Sequence, residues 1–474
     1  MNSNLEQGLN PYLPSWEYIP DGEPYVFEGR IYVYGSHDRF NGHGYCLNDY
    51  ICWSAPVDKP QNWRCEGIIY KKTDDPLNPE GSMCLYAPDV TIGPDGRYYL
   101  YYVLDKVPVV SVAVCDKPAG NFKFYGYVHY ADGTLLGEKE GDEPQFDPGV
   151  LTEGEKTYLY TGFCAIGDKT RSGSMATVLD KDMLTILEAP VIVAPSQPYS
   201  KGSSFEGHEF FEAPSIRKIG ATYYFIYSSI VMHELCYATS KNPRDGFIYQ
   251  GVIVSNNDLH INTYKPENKP GYYGGNNHGS IVEINNNWYV FYHRHTNGSN
   301  FCRQGCIEKI TIDSNGTIPQ VEMTSCGING APLIGLGEYP TYIACNLFCS
   351  NQAIYSPHNA YMDNRYPIIT QDGKDGDEEM GYIGNMMKSA TAGFKYFNFN
   401  GINKISIKVR GYCKGNFEVM TTWDGEVLAT IPVDFTNVWT NYESAINIPN
   451  GVHSLYFRYA GEGIASFASF NLEK

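Results

Sequence analysis

Five polar residues stand at matched points of this chain: Asp21, Asp89, Asp147, Glu212 and His278. Each opens a segment with the alternation and turn residues of a β-hairpin: DGEPYVFEGRIYVYG, DVTIGPDGRYYLYYV, DPGVLTEGEKTYLYTG, EAPSIRKIGATYYFIYS and HGSIVEINNNWYVFYH. Each lies 10 to 12 positions before the tyrosine of its second strand, Tyr32, Tyr99, Tyr158, Tyr224 or Tyr289. Two carboxyl groups about 6.5–9.5 Å apart can cleave a glycosidic bond with inversion, one protonating the leaving oxygen while the other activates water. A third carboxylate beside the acid raises its pKa and keeps it protonated near neutral pH. Asp21, Asp147 and Glu212 can fill these three roles. A turn cap explains any one of the five residues, but not five at matched positions. Crowded carboxylates repel one another, so packing alone does not select the set.

The elements that must bring them together recur at intervals of 67, 59, 66 and 65 residues between the anchor tyrosines. That length suits a four-stranded blade, and five blades close into a β-propeller whose innermost strands line a central channel. The fold class predicted is all-β: a five-bladed β-propeller over 1–325, a linker over 326–345, and a jelly-roll-like β-sandwich over 346–474. The composition agrees, with 40 Tyr, 22 Phe, 48 Gly and only 19% charged residues among 474.

In order and spacing, IPDGEPYVF, LYAPDV, FDPGV, FEAPSI and NNHGSIVEI resemble glycoside hydrolase family 43 across about residues 10–325. The resemblance implies an inverting five-bladed propeller enzyme that removes α-L-arabinofuranose or β-D-xylose from plant-type oligosaccharides. By motif it implies Asp21 as general base, Asp147 as the residue that tunes and orients the acid, and Glu212 as general acid, with Glu209 a rival for that last role. Asp89 matches a substrate-side or structural position. His278 matches a cavity-facing histidine that in many members coordinates Ca²⁺, so a central Ca²⁺ is implied, with no organic cofactor. Arg303 in CRQGCIEKI matches an arginine that reaches the cavity, and Arg294 in YHRH is a second candidate. Tyr86, before APD, and Phe40, after GSHDR, are candidate sugar platforms.

Beyond residue 325 the repeats stop. Residues 360–382 read as an acidic, loop-rich lead-in. From Ala390 short alternating strands return and resemble family 6 carbohydrate-binding modules, with Trp423 and Trp439 as candidate platforms. A net charge of −18 disfavours nucleic acid and anionic membranes as partners. No run of 18 apolar residues spans a bilayer. The N-terminus lacks a basic and then apolar leader, which points to the cytoplasm unless a leader has been trimmed. The 13 cysteines show no zinc-knuckle spacing; Cys302/Cys306 and Cys345/Cys349 are four apart. Three other functions compete: an endo-arabinanase, a lectin-like propeller that binds without hydrolysis, and a retaining fructosidase, whose WMNDPN-like opening and Glu-Cys-Pro motif are missing.

Overall fold

The computed structural model describes residues 7–349 and 366–474. Four propeller blades are four-stranded antiparallel meanders, with first strands Glu23–Phe27, Asp89–Ile92, Gly149–Glu153 and Phe210–Ile219. The fifth, from Ser280–Ile284 to Arg303–Ile310, has three strands. The N-terminal segment runs beside Arg303–Ile310. Tyr12 N–H donates to the Gly305 carbonyl at 3.3 Å, and the Asn10 side chain exchanges two hydrogen bonds with Ile307 at 2.8 Å each. Chain start and last blade thus fasten the ring, which removes an open edge.

Strand register sorts the axial residues into two layers. In blades one to five the anchor tyrosines pair with Tyr25, Thr91, Leu151, Arg217 and Val282. Four residues before those partners stand Asp21, Ala87, Asp147, Ala213 and His278. Two residues before stand Glu23, Asp89, Gly149, Ser215 and Ser280. Alternate residues of a strand share a face, so the second set lies one layer deeper on the axis. It is tied across blades: Ser215 Oγ donates to Glu23 Oε2 (3.1 Å) and pairs with Ser280 Oγ (2.8 Å), Arg217 Nη2 reaches Glu23 Oε2 (2.6 Å), and Tyr25 donates to Asp89 (2.7 Å). These side chains plug the channel.

The C-terminal region is a ten-stranded sheet built on two long strands, Lys404–Met420 and Gly451–Glu473, paired along their lengths. Both bend at glycines: Gly411 and Gly463 hold φ of 139° and 73°, where an added Cβ would meet backbone oxygen. The bend folds the sheet on itself, so Phe417 and Phe457 of one half pack on Phe467 of the other, with centroids 5.3 and 5.0 Å apart. The stretch 326–345 is not a free linker. Leu333–Ile334 and Gly337–Pro340 are strands of this same sheet. Of the lead-in, 360–365 lie outside the described residues, while Ile368–Thr370 and Tyr382–Met386 are strands.

One apolar core runs without a break from Ile226, Tyr237 and Val290 of the propeller to Phe394 and Phe457 of the C-terminal sheet. Polar latches cross the same boundary. Lys395, fully buried, pairs with Asp258 (3.2 Å) and Glu322 (3.0 Å) under the Tyr264 ring. Trp423 is not an open platform: it is buried and stacked on Phe348 at 4.2 Å. Trp439 is half-buried, with the Arg410 guanidinium 4.2 Å over its ring.

Because the core is continuous, calorimetry is expected to show one unfolding transition for propeller and C-terminal sheet. Lys395→Ala leaves Asp258 buried without its cation, and a loss of about 3–5 kcal/mol is expected. Two separated transitions, or an unchanged melting temperature, would contradict the joint core.

Candidate active site

The upper axial layer opens into a cavity of about 470 Å³ lined by Asp21, Asp147, Glu212, His278, Arg303 and Tyr86, with Tyr45, Asp105, Asn276, Phe146, Phe163 and Phe211. That volume lies within the range of about 300–1,000 Å³ usual for small-molecule sites. Local backbone geometry aims the acids. Asp21 and Asp147 hold φ of 58° and 42°, in the left-handed region that non-glycine residues seldom adopt. Around Glu212 the register with the next strand slips on both sides and Ala213 takes φ 65°. This bulge turns Glu212 into the mouth, although it stands one position out of step with Asp21, Asp147 and His278.

Arg303 is the cation among them. Its Nε and Nη2 clamp both oxygens of buried Asp38 at 2.9 and 3.0 Å, and Nη1 reaches Asp21 Oδ1 at 3.0 Å. Its guanidinium lies 4.9 Å from the Tyr45 ring centre. His293 Nδ1 sits 3.3 Å from the Asp21 amide, while its Nε2 lies 2.7 Å from the Asn276 carbonyl. His295 Nε2 lies 2.9 Å from Asn276 Oδ1, which leaves the Asn276 amide group to donate to Glu212.

These surroundings separate the acids. Burial alone would raise the Asp21 carboxyl, but Arg303 and His293 hold it far below the ordinary carboxylate range. Burial, with the Asp21 charge adding to it, pushes Glu212 up to about 7. Burial, Glu212 and Asp21 together raise Asp147 well above its ordinary value. Asp147 and Glu212 therefore hold at least one proton between them at neutral pH, while Asp21 is ionised. Burial lowers His278 to about 4 and keeps it neutral.

The other expected residues lie elsewhere. Asp89 belongs to the deeper layer; its carboxylate is used by Tyr25, Val90 N–H and Val150 N–H, each at 2.7 Å, so it binds blades rather than substrate. Arg294 points away from the cavity, donating to the carbonyls of Ala344 and Tyr342 at 2.6 Å each, and so staples blade five to the C-terminal region. Phe40 is buried against Tyr18 and Cys302. Glu209 accepts from Ser200 at 2.8 Å and does not line the cavity. Sequence reasoning missed Asp38, Asn276, His293 and His295, and the rings Phe146, Phe163 and Phe211 that continue from the expected Tyr86 around the mouth, with neighbouring centroids 5.4, 5.1 and 5.3 Å apart. Asp38 stands in the same GSHDR that drew attention to Phe40.

A blind, ring-walled cavity with one ionised and one proton-holding carboxyl is the site of a glycoside hydrolase on a five-bladed propeller. Residues 49–318 match the family model for glycosyl hydrolases family 43. A xylosidase/arabinosidase of Thermoclostridium stercorarium is 72% identical over 98% of this chain and 99% of its own. The chain belongs to glycosyl hydrolases family 43. Among solved structures, a family 43 arabinoxylan arabinofuranohydrolase from Bacillus subtilis, in complex with cellotetraose, covers 98% of this chain and 97% of its own (TM-score 0.52, 20% identity). A family 43 β-xylosidase/α-arabinofuranosidase from a compost microbial metagenome, in complex with xylotriose and described as a calcium-free form, covers 67% and 98% (TM-score 0.52, 26% identity).

Asp38→Asn halves the clamp on Arg303 without touching the cavity-lining acids. It is expected to lower kcat/KM on a chromogenic glycoside by about 10²-fold through misplacement of the guanidinium, with an unchanged circular dichroism spectrum. Wild-type rates in that variant would show that the clamp does not govern the site.

Proposed function

We propose that this enzyme is an exo-acting inverting pentosidase that releases terminal α-L-arabinofuranose and β-D-xylose from arabinoxylan-derived oligosaccharides. The observation that carries the reading is the separation of the three carboxyls in one blind cavity. Glu212 acts as general acid, giving its proton to the leaving oxygen. Asp21, ionised beside Arg303, takes a proton from the water that attacks the opposite face of the sugar. Asp147, hydrogen-bonded by the Ala213 amide, keeps the proton of the pair on Glu212 and orients it. Arg303 and Tyr86 contact the sugar. The ring wall of Tyr86, Phe146, Phe163 and Phe211 at the mouth supports cutting at chain ends over the open groove of an endo-arabinanase. The 72% identical xylosidase/arabinosidase supports both sugars as substrates. A cytoplasmic setting is part of the proposal, since buried thiols such as Cys46, Cys236 and Cys302 suit a reducing compartment.

A Ca²⁺ on the axis is part of this proposal. Glu23 Oε1 is buried without a hydrogen-bond partner, and it lies 3.9 Å from His278 Nε2. A hard-cation oxygen donor and a neutral imidazole thus face the same space, and those residues would hold the ion among waters. When bound, it would add fixed positive charge beneath the sugar.

Release of 4-nitrophenol from the α-L-arabinofuranoside and the β-D-xylopyranoside tests the reading. Glu212→Ala and Asp21→Ala are each expected to lower kcat by about 10²–10⁴-fold. No release from either glycoside, with internal cleavage of linear arabinan, would overturn it in favour of the endo-enzyme; sugar binding without any cleavage would favour a lectin. The acid works only while protonated, and Glu212 loses its proton as pH rises through its raised pKa. On unactivated xylobiose kcat/KM is therefore expected to fall above about pH 7, with no such fall in the residual activity of Glu212→Gln.

A further inference from the structure

Blade four carries a second group of ligating side chains that the glycosidase chemistry does not use. Glu234 opens the third strand of that blade, Glu234–Ser240, and is buried. Its Oε2 lies 2.8 Å from His208 Nδ1, 2.8 Å from Ser229 Oγ and 3.5 Å from Cys236 Sγ. One ligand atom each from His208, Glu234 and Cys236 fall within 4.8 Å of one another. Cys236 shares a strand face with Glu234, two residues on. His208 precedes the strand Phe210–Ile219 and is held flat on Tyr249, with ring centroids 4.6 Å apart and planes 11° apart. Beside the group lies a separate cavity of about 420 Å³ lined by His208, Glu234, Tyr249, His260 and Gln320.

We propose that His208, Glu234 and Cys236 bind one Zn²⁺, with water from this cavity completing a tetrahedral shell. Imidazole, carboxylate and thiolate together select zinc over calcium or magnesium, which take oxygen ligands. Three protein ligands and an open fourth position follow from the cavity on one side only. His233 and His260 form another grouping with the same Glu234. It is the weaker cradle: His233 Nδ1 is engaged with Ser255 Oγ at 2.9 Å, and His260 is an exposed loop residue. Without metal, the Glu234 hydrogen bond raises the His208 pKa and burial raises the Cys236 thiol. Binding takes the thiol proton of Cys236 to solvent as the Zn–S bond forms. The ion would tie the third strand of blade four to the segment that enters the strand of Glu212, four residues after His208. The site lies apart from the catalytic axis and stands independently of the sugar specificity.

The test uses full-length protein stripped with chelator and then titrated with Zn²⁺ or Co²⁺. One equivalent of Zn²⁺ per chain is expected by elemental analysis, with a rise in melting temperature. Co²⁺ is expected to give a thiolate-to-metal charge-transfer band that Cys236→Ser abolishes and Glu234→Gln weakens or removes. Folding of each variant is checked by glycosidase activity, and should Cys236→Ser not fold, loss of stoichiometric Zn²⁺ binding in His208→Gln gives the same reading. Asp21→Asn is expected to keep full Zn²⁺ binding, which separates this site from the catalytic axis. Absence of stoichiometric binding overturns the proposal. So does stoichiometric Zn²⁺ binding that survives Cys236→Ser but disappears in His233→Ala or His260→Ala, which moves the ion to the other side of Glu234.

Discussion

A buried guanidinium among crowded acids is the arrangement on which the rest of this site depends. Arg303 spends two of its nitrogens on Asp38 and turns a third toward Asp21. A fixed fork of this kind holds direction as well as charge, which a lysine ammonium would not. Asp21, the cavity acid that touches the cation, is kept ionised, whereas burial and mutual repulsion leave a proton on the Asp147 and Glu212 pair. The difference between base and acid thus follows from where one positive charge sits. Removing Arg303 would leave Asp38 and Asp21 buried without compensation, so the same contact serves stability and chemistry.

The scaffold exists to hold that contact. Asp38 and Arg303 come from opposite ends of the propeller sequence and meet only because blade five closes on blade one, with the N-terminal segment laid along the Arg303 strand. The C-terminal region takes part as well. Asp375 accepts from Phe40 N–H (2.7 Å) and Asn48 Nδ2 (3.1 Å), Gln371 accepts from Tyr18 (2.7 Å), and Arg294 anchors blade five on Tyr342 and Ala344. The loop that carries Asp38 is therefore braced from outside the propeller.

Much of this was legible in the residues, because a propeller repeats. The anchor tyrosines and the acids before them marked the blades, and Asp21, Asp147, Glu212, His278 and Arg303 do line one cavity. Asp89 misled for a geometric reason. Its hairpin turn is one residue longer, so ten positions before Tyr99 falls on the deeper layer, where Glu23 also stands. Counting back from a turn of unknown length does not separate two layers that differ by two residues. Asp38, Asn276 and His295 lie in loops or late in strands outside the quoted hairpins, His293 only closes the last of them, and their partners lie on other elements. Arg294 and Arg303 looked alike as cavity cations. They face opposite ways because Arg294 pairs with Gln304 and Arg303 with His295, neighbouring register steps whose side chains alternate faces.

The most direct test of this account is a carboxyl titration of the free enzyme by carbon-13 NMR with labelled Asp and Glu side chains. One glutamate resonance should titrate near 7, as burial and Asp21 require, and vanish in Glu212→Gln. One aspartate should remain ionised to far more acid pH, and should return toward the ordinary range in Arg303→Met. A Glu212 that titrates like a solvent-exposed glutamate, or an Asp21 indifferent to the loss of Arg303, would contradict the claim that one guanidinium sorts acid from base.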